Sequence, residues 1–174
     1  SASLKVLIVG GGGREHALCW KLAQAAHVDH VYAAPGNAGT AGENAVTNVA
    51  IDVLDFTALA DFAESHNVAL TVIGPEAPLV GGVVDYFTTR GLACFGPSQA
   101  AAQLEGSKAF TKDFLARHNI PTGAYANFTE LEPALAYLRA QGAPIVVKAD
   151  GLAAGKGVIV AEKLAQAEEA VTDM

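Results

Sequence analysis

Short apolar runs that end at glycine or proline recur through the first hundred residues of this chain. Leu4–Val9 precedes a run of glycines, and Ala69–Ile73 precedes Gly74-Pro75. Apolar runs of this length are typical of strands buried on both faces of a parallel sheet. Segments with helical spacing separate them: one begins after a capping aspartate, Asp55, and another is predicted from about Val80 to Arg90. The alternation predicts an α/β fold with a parallel sheet and helices on both faces.

The loops that follow the predicted strands are expected to meet at one edge of this sheet. Four of them are rich in glycine or proline, at 10–13, 35–37, 74–78 and 96–97. In open parallel sheets, ligands bind beyond the carboxyl ends of the strands. The sequence therefore predicts one shared cleft formed by these loops.

The pattern changes after about Leu104, which predicts a first domain over 1–104 and a second over 105–174. The predicted elements of the second domain are a helix over 107–118, a strand over 125–128, a helix from a capping box at Thr129, a hairpin of strands 145–148 and 158–161, and a helix from about Leu164. Because that last helix has no cap before Met174, the second domain is expected to be incomplete.

The composition excludes several classes of protein. With 51% hydrophobic and 17% charged residues among 174, the chain can bury a core and is not intrinsically disordered. A net charge of -7 argues against a nucleic-acid binder, although it permits a small phosphorylated ligand. The apolar runs are too short for a membrane span, and two cysteines cannot form a disulfide framework. We therefore expect a cytoplasmic protein.

The glycine loop 10–13, followed by Arg14, Glu15 and His16, is the first candidate site. Without Cβ atoms the backbone can approach a ligand, and the next helix offers N–H groups to an anion. A dinucleotide fingerprint fits poorly, because Glu15 or His16 stands at its third glycine and the second strand ends in Ala34-Pro35 without an acidic residue. Alternatively, the loop only makes a tight turn, and His16 is an ordinary surface or core imidazole.

The segment from Gly74 to Pro78 is the second candidate site. Pro75 and Pro78 restrict the backbone around Glu76, which would hold a carboxylate at a strand end. The alternative interpretation is a rigid turn whose carboxylate faces solvent. Asn37 has the same two interpretations, as a turn residue or as a hydrogen-bond donor to a ligand.

The third and strongest candidate is the loop between the two strands of the predicted hairpin. It is rich in small residues and carries Lys148 and Lys156, so its amides and cations could surround a polyphosphate. It is not a Walker A loop, because Gly157 follows Lys156 and a strand comes next. The alternative is that Gly155 and Gly157 merely close a hairpin. Lys108 is a weaker phosphate candidate, or an ordinary solvated lysine.

Four motifs resemble those of the phosphoribosylamine–glycine ligases, also called glycinamide ribonucleotide synthetases, within the ATP-grasp superfamily. They are the segments 9–17, 34–40, 74–79 and 148–158, in the family's order. The resemblance covers less than half of the family's protein, its amino-terminal part. It implies a Rossmann-like (pre-ATP-grasp) first domain, followed by part of an α+β ATP-grasp domain.

The resemblance also implies the reaction, cofactors and partners. ATP would phosphorylate glycine to a glycyl phosphate, which the amine of 5-phosphoribosylamine attacks, giving glycinamide ribonucleotide, ADP and phosphate in purine biosynthesis. The implied cofactors are ATP and Mg²⁺ or Mn²⁺, the implied partners are small molecules only, and the implied full enzyme is a monomer.

Site residues carried over from the resemblance fall into two groups. The implied substrate-binding residues are Gly11, Gly12, Gly13, Arg14, Glu15, His16, Asn37, Pro75, Glu76 and Pro78. The implied ATP-binding residues are Lys108, Lys148, Gly151, Leu152, Gly155, Lys156, Gly157 and Val158. The catalytic residues and the metal ligands are expected beyond Met174, so we expect no metal site in this chain and no activity from it alone.

Three alternatives remain open from the sequence. Another ATP-grasp ligase or carboxylase would have similarly organised loops. A dinucleotide-binding oxidoreductase would share the opening strand, glycine loop and helix. This chain, however, lacks the acidic residue that such an enzyme has at the end of its second strand. A non-catalytic nucleotide-binding module would be compatible with an incomplete second domain.

Overall fold

A computed structural model describes residues 3–151 and 157–174 of the chain. It divides into two compact units, Ser1–Gln103 and Leu104–Met174. Within the described residues, none of the helices combines the length and the apolar character needed to cross a membrane.

The first unit alternates strands and helices. Its strands are β1 Leu4–Gly10, β2 Val28–Pro35, β3 Val46–Asn48, β4 Leu70–Ile73 and β5 Cys94–Phe95. Its helices are α1 Gly13–Ala23, α2 Ala38–Ala41, α3 Phe56–Ser65, α4 Glu76–Gly81 and α5 Val83–Thr89, and α6 Gln99–Gly106 crosses the boundary between the two units. The sheet has the order β3-β2-β1-β4-β5, and every neighbouring pair is parallel. The predicted α/β fold is confirmed.

Strand β1 is buried on both faces of the sheet. Leu7 and Val9 pack with Leu59 of α3 and Phe87 of α5. On the opposite face of the sheet, Ile8 belongs to a second cluster that includes Cys19 of α1. Because successive side chains of a strand point to opposite faces, this double burial explains why its sequence is continuously apolar. Burying one side chain of this size stabilises the folded state by about 1.5–3 kcal/mol relative to leaving it exposed.

Helix α3 begins where its sequence predicts. The Ala58 N–H donates to Asp55 Oδ1 at 3.0 Å, which satisfies a first-turn amide that lacks a partner within the helix. The helix then buries Leu59, Ala60 and Ala63 against the sheet.

The helix predicted over 80–90 differs from the structure. Helix α4 already begins at Glu76, and Gly82 (φ +93°) separates it from α5. Proline is tolerated in a first turn because those N–H groups have no partner within the helix, so Pro78 does not prevent a helix there. Most of the segment from Gly74 to Pro78, for which one interpretation was a rigid turn, therefore forms the start of α4.

The second unit contains three helices and a hairpin among its described residues. Its elements are α7 Lys108–Arg117, α8 Leu131–Gln141, β6 Ile145–Lys148, β7 Val158–Ala161 and α9 Leu164–Thr172. Strands β6 and β7 pair antiparallel, which confirms the predicted hairpin. Its core joins Leu138, Val147, Ala161, Ala167 and Ala170.

Two expectations for the second unit are wrong. Residues 125–128 form no strand; this segment lies against α7, where Tyr125 Oη donates to Asp113 Oδ1 at 3.0 Å. The capping box at Thr129 is absent, since α8 begins after Glu130 without a side-chain cap. This start places Pro133 in the first turn, where its missing N–H is not needed.

Candidate functional site

The loops after β1, β2 and β4 contact one another at the carboxyl edge of the parallel sheet. The Gly36 N–H donates to Gly10 O at 3.1 Å, and the Gly74 N–H donates to Val9 O at 3.0 Å. Asn37 Nδ2 also donates to Gly11 O at 3.0 Å. The three central loops therefore form one continuous surface, as expected for a ligand site at the strand ends.

Arg14 connects the glycine loop to the start of α4. Its Nη1 donates to Gly74 O at 2.6 Å, and its Nη2 lies 3.1 Å from Glu76 Oε1. Side-chain exposures of 61% for Arg14 and 42% for Glu76 leave the ion pair accessible to a ligand. The structure thus brings together two predicted substrate-binding residues.

Glu76 is held in its ionised form. A hydrogen bond from its own backbone N–H and a second from Arg14 lower the pKa of its carboxyl below the ordinary value. Its place in the first turn of α4 also favours a negative charge, because the helix dipole is positive there. At neutral pH this edge of the sheet therefore presents an anion beside a guanidinium.

Glu15 points into the protein, unlike Glu76. It is only 5% exposed, and its Oε2 accepts the Gly12 N–H at 2.7 Å. The carboxylate occupies space left by Gly10 and Gly74, neither of which has a Cβ. Glu15 therefore holds the glycine loop through its hydrogen bond to Gly12, and it packs against the loop after β4 at Gly74.

We expect Gly74→Ala to destabilise the first unit by about 1–3 kcal/mol, the usual cost of overpacking. A Cβ at this position would lie 2.5 Å from Glu15 Cδ and 2.6 Å from Glu15 Cγ, so the buried carboxylate would have to move. Chemical unfolding of the 174-residue chain, followed by the fluorescence of its single tryptophan, Trp20 in α1, measures the change.

Gly42→Ala is the matched control for this substitution. Gly42 has helical dihedral angles, and its added Cβ would make only an ordinary 3.5 Å contact with Gly39 O. Its stability change is expected to lie within about 1 kcal/mol of zero. Equal stability changes in the two variants would contradict the role assigned to Glu15.

Asn37 and His16 both bond within the protein. Asn37 caps α2, where its Oδ1 accepts the Thr40 N–H at 3.0 Å. His16 Nε2 lies 2.8 Å from Glu43 Oε1. These contacts fit the interpretation of Asn37 as a turn residue, and its Nδ2 also joins this turn to Gly11.

A buried polar network behind Asn37 was missed in the sequence. Thr40 is fully buried, and its Oγ1 donates to Asn48 Oδ1 at 2.6 Å. Asn48 Nδ2 donates to Asn37 O at 2.8 Å. The spacing of Asn37 and Thr40, a capping residue and a partner three positions later, is the one sequence feature that pointed toward it.

The remaining predicted residues of the first unit differ in accessibility. Gly11, Gly12 and Gly13 are exposed, and a Cβ added at Gly13 would meet nothing within 4 Å. Pro75 is the residue before α4, whereas Pro78 is fully buried. Pro78 is therefore not accessible to a ligand in this structure.

In the second unit, the start of α7 contacts the residues that follow β6. Lys108 Nζ donates to Gly151 O at 2.8 Å, and the Ala109 N–H donates to Asp150 Oδ1 at 3.1 Å. The Ala149 N–H donates to Gly157 O at 2.8 Å, which extends the hairpin ladder beyond Lys148. Leu152, Gly155 and Lys156, three of the predicted ATP-binding residues, lie outside the described residues.

One face of the hairpin is apolar and exposed. Val146 pairs with Val160 and Lys148 with Val158, so these four side chains share the face opposite Val147 and the core. Val146, Val158 and Val160 are 47%, 42% and 68% exposed. This valine face therefore presents a flat apolar surface with a lysine at its edge.

Thiol and metal chemistry find little support in the described parts of the chain. Burial is the main cause that raises the pKa of both Cys19 and Cys94 to about 11, so both are protonated and unreactive at neutral pH. Residues 3–151 and 157–174 contain no group of three or more His, Cys, Asp or Glu side chains placed to hold a metal ion.

Two protein-family models match the chain consecutively. "Phosphoribosylglycinamide synthetase, N domain" matches residues 4–105, and "Phosphoribosylglycinamide synthetase, ATP-grasp (A) domain" matches residues 106–174. Phosphoribosylamine–glycine ligases of Pseudomonas syringae pv. tomato and Escherichia coli K12 are 71% and 68% identical to it over 171 residues. These matches cover 98% of the chain but 39% and 40% of the two relatives, so the chain spans about 40% of their length.

Solved structures show the same relationship. The phosphoribosylamine–glycine ligase of Thermotoga maritima has a TM-score of 0.73 and 30% identity, covering 95% of this chain and 38% of that one. N5-carboxyaminoimidazole synthase of Aspergillus clavatus has a TM-score of 0.70 and 19% identity, covering 98% and 43%. The second likeness shows the fold alone.

Proposed function

The chain belongs to the phosphoribosylglycinamide synthetase family, and we propose that it forms the amino-terminal part of a phosphoribosylamine–glycine ligase. One observation carries this proposal: its 68–71% identity to curated ligases extends over 171 residues. Residues 1–104 then form a substrate-binding domain, and residues 105–174 begin the ATP-grasp domain. The complete enzyme would act as a cytoplasmic monomer on small molecules.

The proposed reaction overcomes the low reactivity of a carboxylate. ATP transfers its γ-phosphoryl group to glycine, and the resulting glycyl phosphate has a good leaving group. The amine of 5-phosphoribosylamine, held beside it, then attacks the acyl carbon in an effectively intramolecular step. Mg²⁺ or Mn²⁺, whose ligands we expect beyond Met174, would offset the charge of the phosphoryl group.

Arg14 and Glu76 are the side chains proposed to meet the sugar substrate. Both are accessible, and their contact fixes the carboxylate close to the exposed glycine loop. An ionised Glu76 can accept hydrogen bonds from the ribosyl amine or hydroxyl groups, while Arg14 contributes a positive charge for a phosphorylated ligand. Glu15 supports this arrangement from below by holding Gly12.

The second unit is proposed to hold ATP. Lys108 and Lys148 carry positive charges at the start of α7 and the end of β6, which suits a polyphosphate. The exposed valine face beside Lys148 suits the ring face of a nucleobase, because a flat ring would cover apolar surface that is otherwise in water. Gly151, Gly157 and Val158 border the hairpin loop and complete the described part of this proposed site.

The comparisons favour the ligase over the alternatives left open by the sequence. A second ATP-grasp activity gains little support, because the carboxylase-type neighbours are below 20% identity and share the fold alone. An oxidoreductase or a non-catalytic module is not needed to explain consecutive matches to both domains of one synthetase.

An assay of the full-length protein that carries this segment tests the proposal. Incubated with ATP, Mg²⁺, labelled glycine and freshly made 5-phosphoribosylamine, it should form labelled glycinamide ribonucleotide, detected by mass spectrometry. Absence of that product from a folded preparation would contradict the proposed function.

The 174-residue chain alone is expected to form no product in this assay, because groups outside it must complete the active site. Mixing in the full-length protein checks that the preparation contains no inhibitor. Product formation by the short chain would show that its own residues suffice for catalysis.

A further inference from the structure

Asp150 joins the end of the hairpin strand β6 to the first turn of α7. Its Oδ1 accepts the Ala109 N–H at 3.1 Å, and its Oδ2 accepts the Ser107 hydroxyl at 2.8 Å. The same hydroxyl caps α7 by accepting the Phe110 N–H at 3.0 Å. One carboxylate and one hydroxyl thus satisfy two first-turn amides of this helix.

These bonds engage the N-terminus of α7 within the protein. Two amides that would otherwise attract an anion already donate to Asp150 and Ser107. Partial burial favours protonation of Asp150, but the bonds from Ala109 and Ser107 outweigh it and lower the pKa of the carboxyl. Asp150 is therefore ionised at neutral pH, and a phosphate bound nearby would depend on lysines more than on these amides.

Lys108 belongs to the same arrangement. It is the first residue of α7, and its Nζ donates to Gly151 O, the residue directly after Asp150. Lys148 precedes Asp150 by two residues at the end of β6. The contacts of Asp150 thereby set the separation of the two backbone positions that carry Lys108 and Lys148.

We propose that Asp150 is a positioning residue for the nucleotide: it fixes the start of α7 against the end of β6, so that Lys108 and Lys148 face the polyphosphate as a pair. This inference rests on the proposed function, because it takes the two lysines as phosphate ligands. Asp150 itself need not touch the nucleotide, since both of its oxygens already accept hydrogen bonds from the protein.

The test compares Asp150→Ala, Asp150→Asn and Ser107→Ala in the full-length protein. Steady-state kinetics, with each substrate varied in turn, gives a separate KM for ATP, for glycine and for 5-phosphoribosylamine. Asp150→Ala is expected to raise the KM for ATP about tenfold while the KM values for glycine and 5-phosphoribosylamine change less than about twofold. Asp150→Asn, whose single amide oxygen can keep one of the two bonds, should restore part of the loss and also covers the case in which the alanine variant does not fold.

Asp85→Ala is the matched control for Asp150→Ala. Asp85 also caps a helix from a distance, since its Oδ2 accepts the Gln99 N–H at the start of α6 at 2.7 Å. It should lose similar stability while leaving all three KM values unchanged. If Asp150→Ala changes thermal stability but no substrate constant, as this control does, then Asp150 is merely structural and the inference is wrong.

Calorimetric titration with ATP separates this inference from the proposed function. If the wild-type protein binds ATP but forms no glycinamide ribonucleotide, the proposed function fails, and the ATP affinities of the variants still decide the role of Asp150. Unchanged affinity in Asp150→Ala would overturn the inference even in a fully active ligase, whereas an approximately tenfold loss would support it.

Discussion

Lys148→Ala in the full-length protein is expected to reduce kcat/KM for ATP by about a hundredfold, the scale on which enzymes lose a charge that stabilises a transferring phosphoryl group. Lys148 ends β6 on the exposed valine face, and its side chain is in solvent. Removing an exposed side chain costs little stability, so the loss should appear in ATP use and not in folding.

Lys163→Ala is the control for Lys148→Ala. Lys163 is another exposed lysine of the same unit, immediately before α9, and it makes no side-chain capping bond. Lys148→Arg should retain part of the activity, because it keeps the charge but not the shape of the ammonium group. If the KM for ATP and the turnover of Lys148→Ala both match those of the wild type, Lys148 is not at the phosphate site.

Glu76→Lys in the full-length protein is expected to raise the KM for 5-phosphoribosylamine about tenfold or more, with a smaller change in the KM for ATP. The substitution removes an ionised hydrogen-bond acceptor and places a second cation next to Arg14. In the wild-type protein, Arg14 Nη2 lies 3.1 Å from Glu76 Oε1. Because the ion pair is exposed, its loss should cost at most about 1 kcal/mol of stability. Kinetics with each substrate varied separately measures the difference.

Glu64→Lys is the control for Glu76→Lys. Glu64 also forms an exposed pair with an arginine, since its Oε2 lies 2.7 Å from Arg90 Nη2, but it belongs to α3 and not to the loops at the carboxyl edge. Its charge reversal should leave both Michaelis constants unchanged. If Glu76→Lys raised the KM for 5-phosphoribosylamine and the KM for ATP equally, Glu76 would not be part of the proposed 5-phosphoribosylamine site.

Elements with local determinants could be predicted from the sequence. Strand β1 follows from a continuous apolar run, and α3 from Asp55 and its apolar spacing, because both features depend on neighbouring residues. The start of α4 could not be read in the same way, since a proline at 78 is compatible with a turn and with a first helical turn.

Side-chain direction within the candidate site was harder to predict. The order Arg14-Glu15 marks both residues as polar, but only the folded loop shows that Arg14 faces outward and Glu15 inward. The network of Thr40 and Asn48 depends on the pairing of β2 with β3, which the local sequence does not encode. Residue types therefore indicated the candidate site, whereas tertiary contacts show which side chains face solvent and which are buried.

The space that Glu15 occupies imposes a rule on how this edge of the sheet can change. A side chain added at position 10 or position 74 would overlap the same carboxylate, so the three positions depend on one another. Replacement of Gly74 alone should fail where a joint replacement with a smaller side chain at position 15 succeeds, whereas Gly10, at φ +132°, would stay strained with any side chain. Redesign of the proposed substrate site is therefore best confined to Arg14, Glu76 and Gly13, whose surroundings leave room for other side chains.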